Sequence, residues 1–374
     1  MARKYLAIAN DVIEQIRSGE LKPGKKLDSI RSMSLKYNCS INTVINAYKY
    51  LEHEKFIYSV PKSGYYILHQ DSSVNKTKPD IIDFSSNSPD PSAIPHDNFF
   101  QCLNQAIELY QEQIFSYNQL NGFFSLRKVL EKHLMRHQVF ADVNQIFLAS
   151  GARQIFHFLN IMPFPNGKTA VLVEQPSFSI MLNSLELSGI TALGVTRTEK
   201  GIDISELERH FRNNNIKFFY TIPRNHPSLA TSYTEEQKMQ IIELAKKYDV
   251  YIVEDDYIPD LEINSKADPI FSLDTSRRTI YIKSFSKILS PGLRLAIVVL
   301  PKNLVDTFKL YKNAFDRGPA ALSQGSLEIF LKNGMFDIHV SNVRKKYQER
   351  LAHLKQACEK YFPEELKATI PQSG

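Results

Sequence analysis

The sequence predicts a small helical head that ends in a β-hairpin, followed by a larger α/β body built on a mostly parallel sheet. Residues 1–78 carry 13 basic and 7 acidic side chains, and so account for the whole net charge of +6 on 374 residues. Helical periodicity dominates this basic segment. From about residue 83, short apolar runs alternate with helical stretches, which indicates a parallel sheet covered by helices.

Composition restricts the class of protein. With 43% hydrophobic and 23% charged residues, the chain has an ordinary soluble composition. No apolar run approaches the roughly 20 residues of a membrane span, and the first residues lack the apolar segment of a secretion signal. The cysteines, Cys39, Cys102 and Cys358, are far apart and in no metal-ligand spacing. We therefore expect a cytoplasmic protein with free thiols, no membrane partner and no metal site.

The head begins with helices separated by short turns. Apolar residues at helical spacing predict a first helix over residues 5–18 and a second, shorter helix over 29–37. Ser40 can cap a third helix. One face of this third helix is apolar, and its other face carries short polar groups such as Asn42 and Thr43.

A β-hairpin follows the third helix. Two short apolar strands are predicted at residues 56–58 and 65–68, and the tip between them, 59–64, carries one cation, Lys62. Two short helices joined by a tight turn and followed by such a hairpin indicate a winged helix-turn-helix. A basic head on a neutral body favours a polyanionic partner for the head.

The head resembles the GntR family of winged helix-turn-helix regulators in the segments 16–24, 27–31 and 40–44 and in the wing. The resemblance implies contact with double-stranded DNA by Arg31, Ser40, Asn42, Thr43, Lys62 and Gly64. The alternative is a winged helix used only for protein contacts. We expect this domain to span residues 1–68, a polar linker to span 69–82 and the body to span 83–374.

The most informative motif of the body is a lysine segment after a predicted strand. The apolar run 279–282 is followed by Ser284, Ser286 and Lys287, with Arg294 seven residues beyond the lysine. An amine beside groups that bind phosphate is what pyridoxal phosphate requires, because the lysine captures the aldehyde carbon while serine and arginine hold the phosphate. The alternative is a surface lysine near a strand end.

Three further segments also follow strand-like runs. The turn 150–153 opens a helical stretch and can present N–H groups to a phosphate. Phe178 could stack on a flat heteroaromatic ring. Asp255 could keep a pyridine nitrogen protonated, and Tyr257 could bond the ring hydroxyl. Each of these residues alone could belong to the core, to a helix cap or to an ordinary turn. In this order they favour a pyridoxal phosphate site at the carboxyl ends of the strands.

The body resembles the fold-type I aminotransferases, and the whole chain resembles the MocR subfamily of GntR regulators. This resemblance implies that Lys287 forms a Schiff base with the coenzyme, that Asp255 faces the pyridine nitrogen and Tyr257 the ring hydroxyl, and that Phe178 stacks on the ring. The implied phosphate-binding residues are Ser150, Gly151, Ala152, Arg153, Ser284, Ser286 and Arg294. Either Asn225 or His226 could face the ring. The chain stops near where the small-domain sheet of the family begins, so we expect an incomplete small domain.

These patterns predict a DNA-binding transcriptional regulator that senses an amino compound through external aldimine formation at Lys287. The resemblance also implies a homodimer that reads paired half-sites. The alternative is an active aminotransferase with an accessory DNA-binding head. We favour the sensor, with at most a residual half-reaction. A third possibility is a DNA-binding protein whose body is a coenzyme-free dimerisation scaffold.

Overall fold

In the computed structural model, the described residues are 4–60, 63–68, 88–116, 119–262, 268–363, 365–366, 368–371 and 373. The head contains the helices α1 (Lys4–Arg17), α2 (Ile30–Lys36) and α3 (Ile41–His53). They pack around a small apolar core. Serine hydroxyls cap the second and third helices, because Ser29 accepts from the Ser32 N–H and Ser40 from the Thr43 N–H. The predicted cap at Ser40 is thus confirmed.

The wing is an antiparallel pair, β1 (Ile57–Val60) and β2 (Gly64–Ile67). The first strand extends two residues beyond the predicted end at residue 58, because Ser59 and Val60 pair with Tyr65 and Gly64. Lys26 forms an isolated antiparallel bridge with Tyr66, which ties the segment between α1 and α2 to the wing.

The body is built on one mixed sheet of eight strands in the order β3-β10-β9-β8-β7-β4-β5-β6. The run from β9 to β5 is parallel, whereas β3, β10 and β6 pair antiparallel with their neighbours. The strands are β3 (Ile146–Ala149), β4 (Ala170–Gln175), β5 (Ala192–Thr198), β6 (Gly201–Ile202), β7 (Ile216–Thr221), β8 (Tyr251–Asp255), β9 (Thr279–Ser284) and β10 (Ala296–Val299). The central strands are buried along their whole length, as continuous apolar runs in a parallel sheet require.

Helices cover the sheet. They are α4 (His96–Tyr110), α5 (Phe124–Met135), α6 (Ala152–Ile161), α7 (Ser179–Leu187), α8 (Ile204–Asn213), α9 (Glu235–Lys247), α10 (Ile270–Leu273), α11 (Val305–Phe315), α12 (Ala321–Lys332) and α13 (Met335–Tyr361). Short 3-10 turns lie at Pro91–Ala93, Gln111–Phe115, Val143–Gln145, Pro259–Leu261, Pro291–Leu293 and Lys302–Leu304. The helix α9 begins after Thr234, which forms a capping box with Gln237.

The head rests on α4 of the body. Tyr58 and Leu68 belong to the same apolar cluster as the buried side of α4, and Gln105 Nε2 donates to the Tyr58 hydroxyl oxygen at 2.6 Å. The predicted linker, 69–82, lies outside the described residues. Within the described chain, α13 is the last regular element, and the incomplete small domain stays a prediction. None of the described helices combines the length and apolarity that a bilayer crossing demands.

Candidate functional sites

A cavity of about 500 Å³ opens beside the carboxyl ends of β8 and β9. The structure brings nine of the predicted coenzyme residues to its wall: Ala152, Arg153, Phe178, Asp255, Tyr257, Ser284, Ser286, Lys287 and Arg294. They come from segments that are far apart in the chain. Arg294, for example, contacts Ser150, which lies 144 positions before it in the sequence. The strands β3, β8 and β9 end at this edge of the sheet, and the antiparallel strand β10 begins there directly after Arg294 and Leu295, so the fold brings these segments together.

The glycine turn and Arg294 form one concave wall. Gly151 has a φ of +90°, and a Cβ at this position would lie 2.5 Å from Arg294 Nη2. That nitrogen donates to the Ser150 carbonyl oxygen at 3.0 Å. The first N–H groups of α6 and a guanidinium therefore share one small recess, which suits an anionic group. The fit to the phosphate of the coenzyme depends on residue 151 having no side chain.

Asp255 is the last residue of β8 and is 3% exposed. Its Oδ2 accepts from the Tyr220 hydroxyl at 2.7 Å, whereas its Oδ1 has no hydrogen-bond partner among the described residues. Burial raises the pKa of this carboxyl to about 7, with the Tyr220 hydroxyl acting against the shift and Asp256 adding to it. A buried acceptor without a donor costs stability. The protonated nitrogen of a pyridine ring would supply the donor, so Asp255 fits the coenzyme.

Lys287 lies in the turn after β9 and is half-buried, and this burial lowers the pKa of its amine. Phe178 caps α7 and is also half-buried, with its ring 6.4 Å from that of Phe156 in an edge-on arrangement. The Tyr257 hydroxyl donates to the Asn225 carbonyl oxygen at 2.8 Å, and burial raises its pKa. These groups leave a partly apolar space between an amine and a carboxyl group.

Four predicted coenzyme residues do not line the cavity. Gly151 and Ser150 contact Arg294 of the wall without lining the cavity themselves, and the Ser150 N–H donates to Gln154 Oε1. Asn225 has a φ of +52°, and its Nδ2 donates to Glu262 Oε2 at 2.8 Å. His226 Nε2 lies 3.1 Å from the Pro176 carbonyl oxygen.

Because both side chains have other polar contacts, neither alternative for the ring neighbour at Asn225 or His226 is placed in the cavity. Pro227 lines the wall instead. The left-handed backbone at Asn225 and the distant carboxylate of Glu262 turn the amide away. Neither the backbone conformation of Asn225 nor its contact with Glu262 can be recognised from the sequence.

The role of Tyr220 was not predicted from the sequence. It lies in β7, beside β8, and donates to Asp255 across 35 residues of sequence. In the sequence it is one aromatic residue within a buried strand, where packing alone would explain it. Asn183 of α7 also lines the cavity and carried no sequence signal.

The head presents part of its predicted DNA-binding set on α2 and α3. Arg31 and Asn42 are exposed, and Thr43 is half-buried. The Ser40 hydroxyl is the cap of α3 and lies 2.8 Å from Thr43 Oγ1, so its first role is structural. Gly64 has a φ of +125°, which favours glycine.

Lys62 lies outside the described residues. Lys26, for which the sequence predicts no role, lies against the wing. Its Cε is 3.0 Å from where a Cβ of Gly64 would be. In the sequence, the two adjacent lysines at 25–26 are the feature that could have indicated a basic group near the wing.

Comparison with known proteins agrees with this division of the chain. The family described as bacterial regulatory proteins, gntR family, matches residues 4–67, and aminotransferase class I and II matches residues 79–374. An uncharacterized HTH-type transcriptional regulator of Bacillus subtilis, YcxD, is 46% identical over 95% of this chain and 80% of its own length. Another from Escherichia coli, YdcR, is 26% identical over 100% of this chain and 85% of its own length.

Among solved structures, the body is similar to a kynurenine aminotransferase of Pyrococcus horikoshii in complex with PMP. The TM-score is 0.73 at 26% identity, over 79% of this chain and 75% of that one. The predicted fold, a GntR-type head on a fold-type I aminotransferase body, is confirmed. The chain belongs to the GntR regulators whose helix-turn-helix domain is fused to an aminotransferase class I and II domain, the MocR-like combination.

Proposed function

We propose that this regulator holds pyridoxal phosphate at Lys287 and that an amino compound which competes for the coenzyme changes how the head binds DNA. One observation carries the proposal. A half-buried lysine, a recess for an anion and a buried carboxylate oxygen without a donor among the described residues belong to the wall of one cavity. A dimerisation scaffold has no chemical need for that set.

Pyridoxal phosphate, when bound, supplies an aldehyde carbon that amines attack and a ring that accepts electrons. The chain has a defined task for each part. Lys287 offers an amine whose pKa burial lowers, so a larger fraction is neutral and nucleophilic. Asp255 holds a proton between its carboxyl and the ring nitrogen, and Arg294 with the start of α6 retains the phosphate.

The DNA half of the proposal depends on α3 and on charge. The polar residue Asn42 is exposed at the start of α3, and the segment 1–78 carries the whole net charge of +6. A helix of this kind reads base edges in the major groove, while lysines and arginines bind phosphates. In a homodimer, two heads would read paired half-sites. An effector can shift this equilibrium only if it binds the two arrangements with different affinity.

The first experiment measures coenzyme capture. Purified protein mixed with pyridoxal phosphate should gain the near-visible absorbance that the coenzyme shows when an amine captures it. Lys287→Ala should lose this band, whereas Lys246→Ala, which removes an exposed lysine of α9, should keep it. A band that persists in Lys287→Ala would contradict the role of Lys287.

The alternative is an active aminotransferase with an accessory DNA-binding head, and the similarity to a kynurenine aminotransferase favours testing it. An enzyme gives many turnovers with an amino donor and a keto acid acceptor. A sensor gives at most a slow half-reaction that stops after one equivalent. Absence of any coenzyme binding would instead favour the scaffold.

A further inference from the structure

A second cavity, of about 740 Å³, lies between the end of α5, the turn after β8 and the first turns of α13. Its described lining shares no residue with the wall of the coenzyme cavity. Three side chains on its wall have the chemistry of metal ligands: His133 in the last turn of α5, His137 in the turn that follows this helix, and Asp260 after β8. Cysteine spacing predicts no metal site in this sequence, and no local motif joins these three residues, because Asp260 is 123 residues from His137.

The ligand atoms converge on one point. His137 Nε2 lies 3.1 Å from Asp260 Oδ1, and His133 Nε2 lies 3.5 Å from the same oxygen. All three ligand atoms lie within 4.8 Å of one another. Ligands around a tetrahedral zinc ion, with bonds of about 2.0–2.2 Å, are separated by roughly 3.3 Å. The observed spacing therefore requires only small rotations of the side chains.

His133 provides a second, independent observation. Its side chain is 5% exposed, and its Nε2 has no hydrogen-bond partner within the described part of the chain. The ring lies against Phe285 and Phe336, which offer no donor or acceptor of comparable strength. A buried polar atom without a partner calls for an explanation such as a bound ion.

The surrounding charges leave one carboxylate oxygen for an ion. Lys283 of β9 contacts Asp260 Oδ2 and leaves Oδ1 facing the two histidines. A carboxylate that binds a metal through one oxygen and is held through the other is a common arrangement.

We propose that His133, His137 and Asp260 form a binding site for a divalent transition-metal ion, with the fourth position open to the cavity. Two imidazoles and one carboxylate suit Zn²⁺ and its first-row neighbours, whereas Mg²⁺ and Ca²⁺ prefer oxygen ligands. The ion would replace the hydrogen that His137 and Asp260 share. The alternative is that the same residues form an ion-pair network around Lys283 and bind no metal.

The ion would connect three parts of the body. Asp260 also accepts from Arg344 Nε of α13 through its carbonyl oxygen at 2.7 Å. The site thus joins α5, the turn that follows Tyr257 and the long helix α13. Lys283, its neighbour, directly precedes Ser284 of the coenzyme cavity. Metal binding would therefore stiffen the support of the coenzyme site without contacting the coenzyme.

The test measures metal bound by the full chain. Protein treated with a chelator and then dialysed against low Zn²⁺ should retain one ion per chain. His137→Gln, at a half-buried position, should weaken binding roughly tenfold or more. The matched control is His210→Gln, because His210 also faces a carboxylate one helical turn away, Glu206 at 3.9 Å. It should retain the ion, and Zn²⁺ should raise the unfolding temperature of wild type and control but not of His137→Gln.

Two outcomes would overturn the proposal. Wild-type protein that retains no Zn²⁺ would show that the cluster is an ion-pair network. Equal retention by wild type and His137→Gln would place the ion elsewhere. Visible absorption of Co²⁺ bound to the wild-type chain gives a test that needs no substitution. Intense bands are expected for a four-coordinate ion, and the weak bands of a six-coordinate ion would contradict the site. None of these measurements requires pyridoxal phosphate.

Discussion

Asp255 is the residue on which the coenzyme site depends most directly. Among the described residues, its buried carboxyl has one donor, the Tyr220 hydroxyl, for two oxygens. Burial raises its pKa from the usual 3.8 to about 7. Such a group is costly when ionised in the free protein and useful when a cationic ring nitrogen is beside it. The site thus has a built-in preference for a protonated ligand.

This preference predicts the pH dependence of stability. A carboxyl whose pKa rises on folding stabilises the native state below its unfolded pKa, and this contribution is lost as the pH rises through 7. Asp255→Asn cannot ionise. Between about pH 4 and about pH 8, the free energy of unfolding of this variant should therefore rise by about 2–4 kcal/mol relative to that of the wild type, when both proteins are measured without the coenzyme. Urea unfolding at the two pH values measures the difference.

The control for this measurement is Asp306→Asn, whose side chain is 98% exposed. It should show the pH dependence of the wild type. After loading with pyridoxal phosphate, the wild type should be more stable than Asp255→Asn, because the asparagine offers no charge to the ring nitrogen. An unchanged pH profile in Asp255→Asn would mean that the carboxyl is not raised in the native protein.

Gly151 tests the phosphate recess. Gly151→Ala would place a methyl group 2.5 Å from Arg294 Nη2 at a φ of +90°, so the guanidinium must move. Losing a charge-assisted contact of about 1.5–3 kcal/mol should lower the affinity for pyridoxal phosphate roughly tenfold or more. Fluorescence titration with the coenzyme measures this affinity.

Gly189→Ala is the matched control. Gly189 has a φ of +64°, and no described atom lies within 4 Å of a Cβ there. This variant should suffer only the backbone strain of about 1–2 kcal/mol and bind the coenzyme normally. Equal affinity losses in the two variants would attribute the effect to strain rather than to the recess.

At the scale of elements, the head places a capped helix where DNA would be read. The α3 helix begins after Ser40, which accepts from the Thr43 N–H at 3.2 Å. Ser40→Ala should destabilise the head by about 1 kcal/mol and weaken DNA binding, because the first turn that carries Asn42 frays. The slope of affinity against salt should stay the same, since no lysine or arginine is removed.

Ser29→Ala serves as the control for this helix. Ser29 caps α2 through the Ser32 N–H at 3.1 Å, so the stability cost should be similar. The loss of DNA affinity should be smaller, because the start of α3 is intact. DNA binding measured over a salt series separates these effects. A larger loss in Ser29→Ala than in Ser40→Ala would assign recognition to α2.

The elements of the head and the parallel strands could be predicted because local patterns determine them. The predicted helix 5–18 is Lys4–Arg17 in the structure, and the strand prediction 279–282 falls within β9. The pairing of β10 with β3, which lies far away in the sequence, could not be predicted from periodicity. For the same reason Glu262 as the partner of Asn225, and Tyr220 as the partner of Asp255, had no signal.

At the scale of the whole molecule, the head and the body share one apolar cluster. The Tyr58 hydroxyl accepts from Gln105 of α4, and Tyr58 itself packs among residues of the body core. The wing is therefore anchored on the body through its first strand. This contact gives a physical route by which the body can bias the head.

The route continues from α4 to the coenzyme cavity. Ala106 of α4 lies against Gly325 of α12, where a Cβ would be only 2.9 Å away. The next residue to the N-terminal side, Gln324, accepts from the Phe123 N–H at 2.8 Å. Leu148 of β3 donates its N–H to the neighbouring Asn121 carbonyl oxygen and leads directly to the turn at 150–153. Contiguity of this kind motivates a coupling test but does not replace one.

Tyr58→Phe supplies that test. The substitution deletes the hydroxyl that meets Gln105 and keeps the ring. If pyridoxal phosphate loading biases the head through this contact, the change in DNA affinity on loading should be smaller in Tyr58→Phe than in wild type. Tyr66→Phe is the matched control in the same hairpin, because its hydroxyl pairs with Ser63 inside the head at 2.7 Å. Fluorescence anisotropy at fixed salt, with and without the coenzyme, measures the change, and equal changes in all three proteins would place the coupling elsewhere.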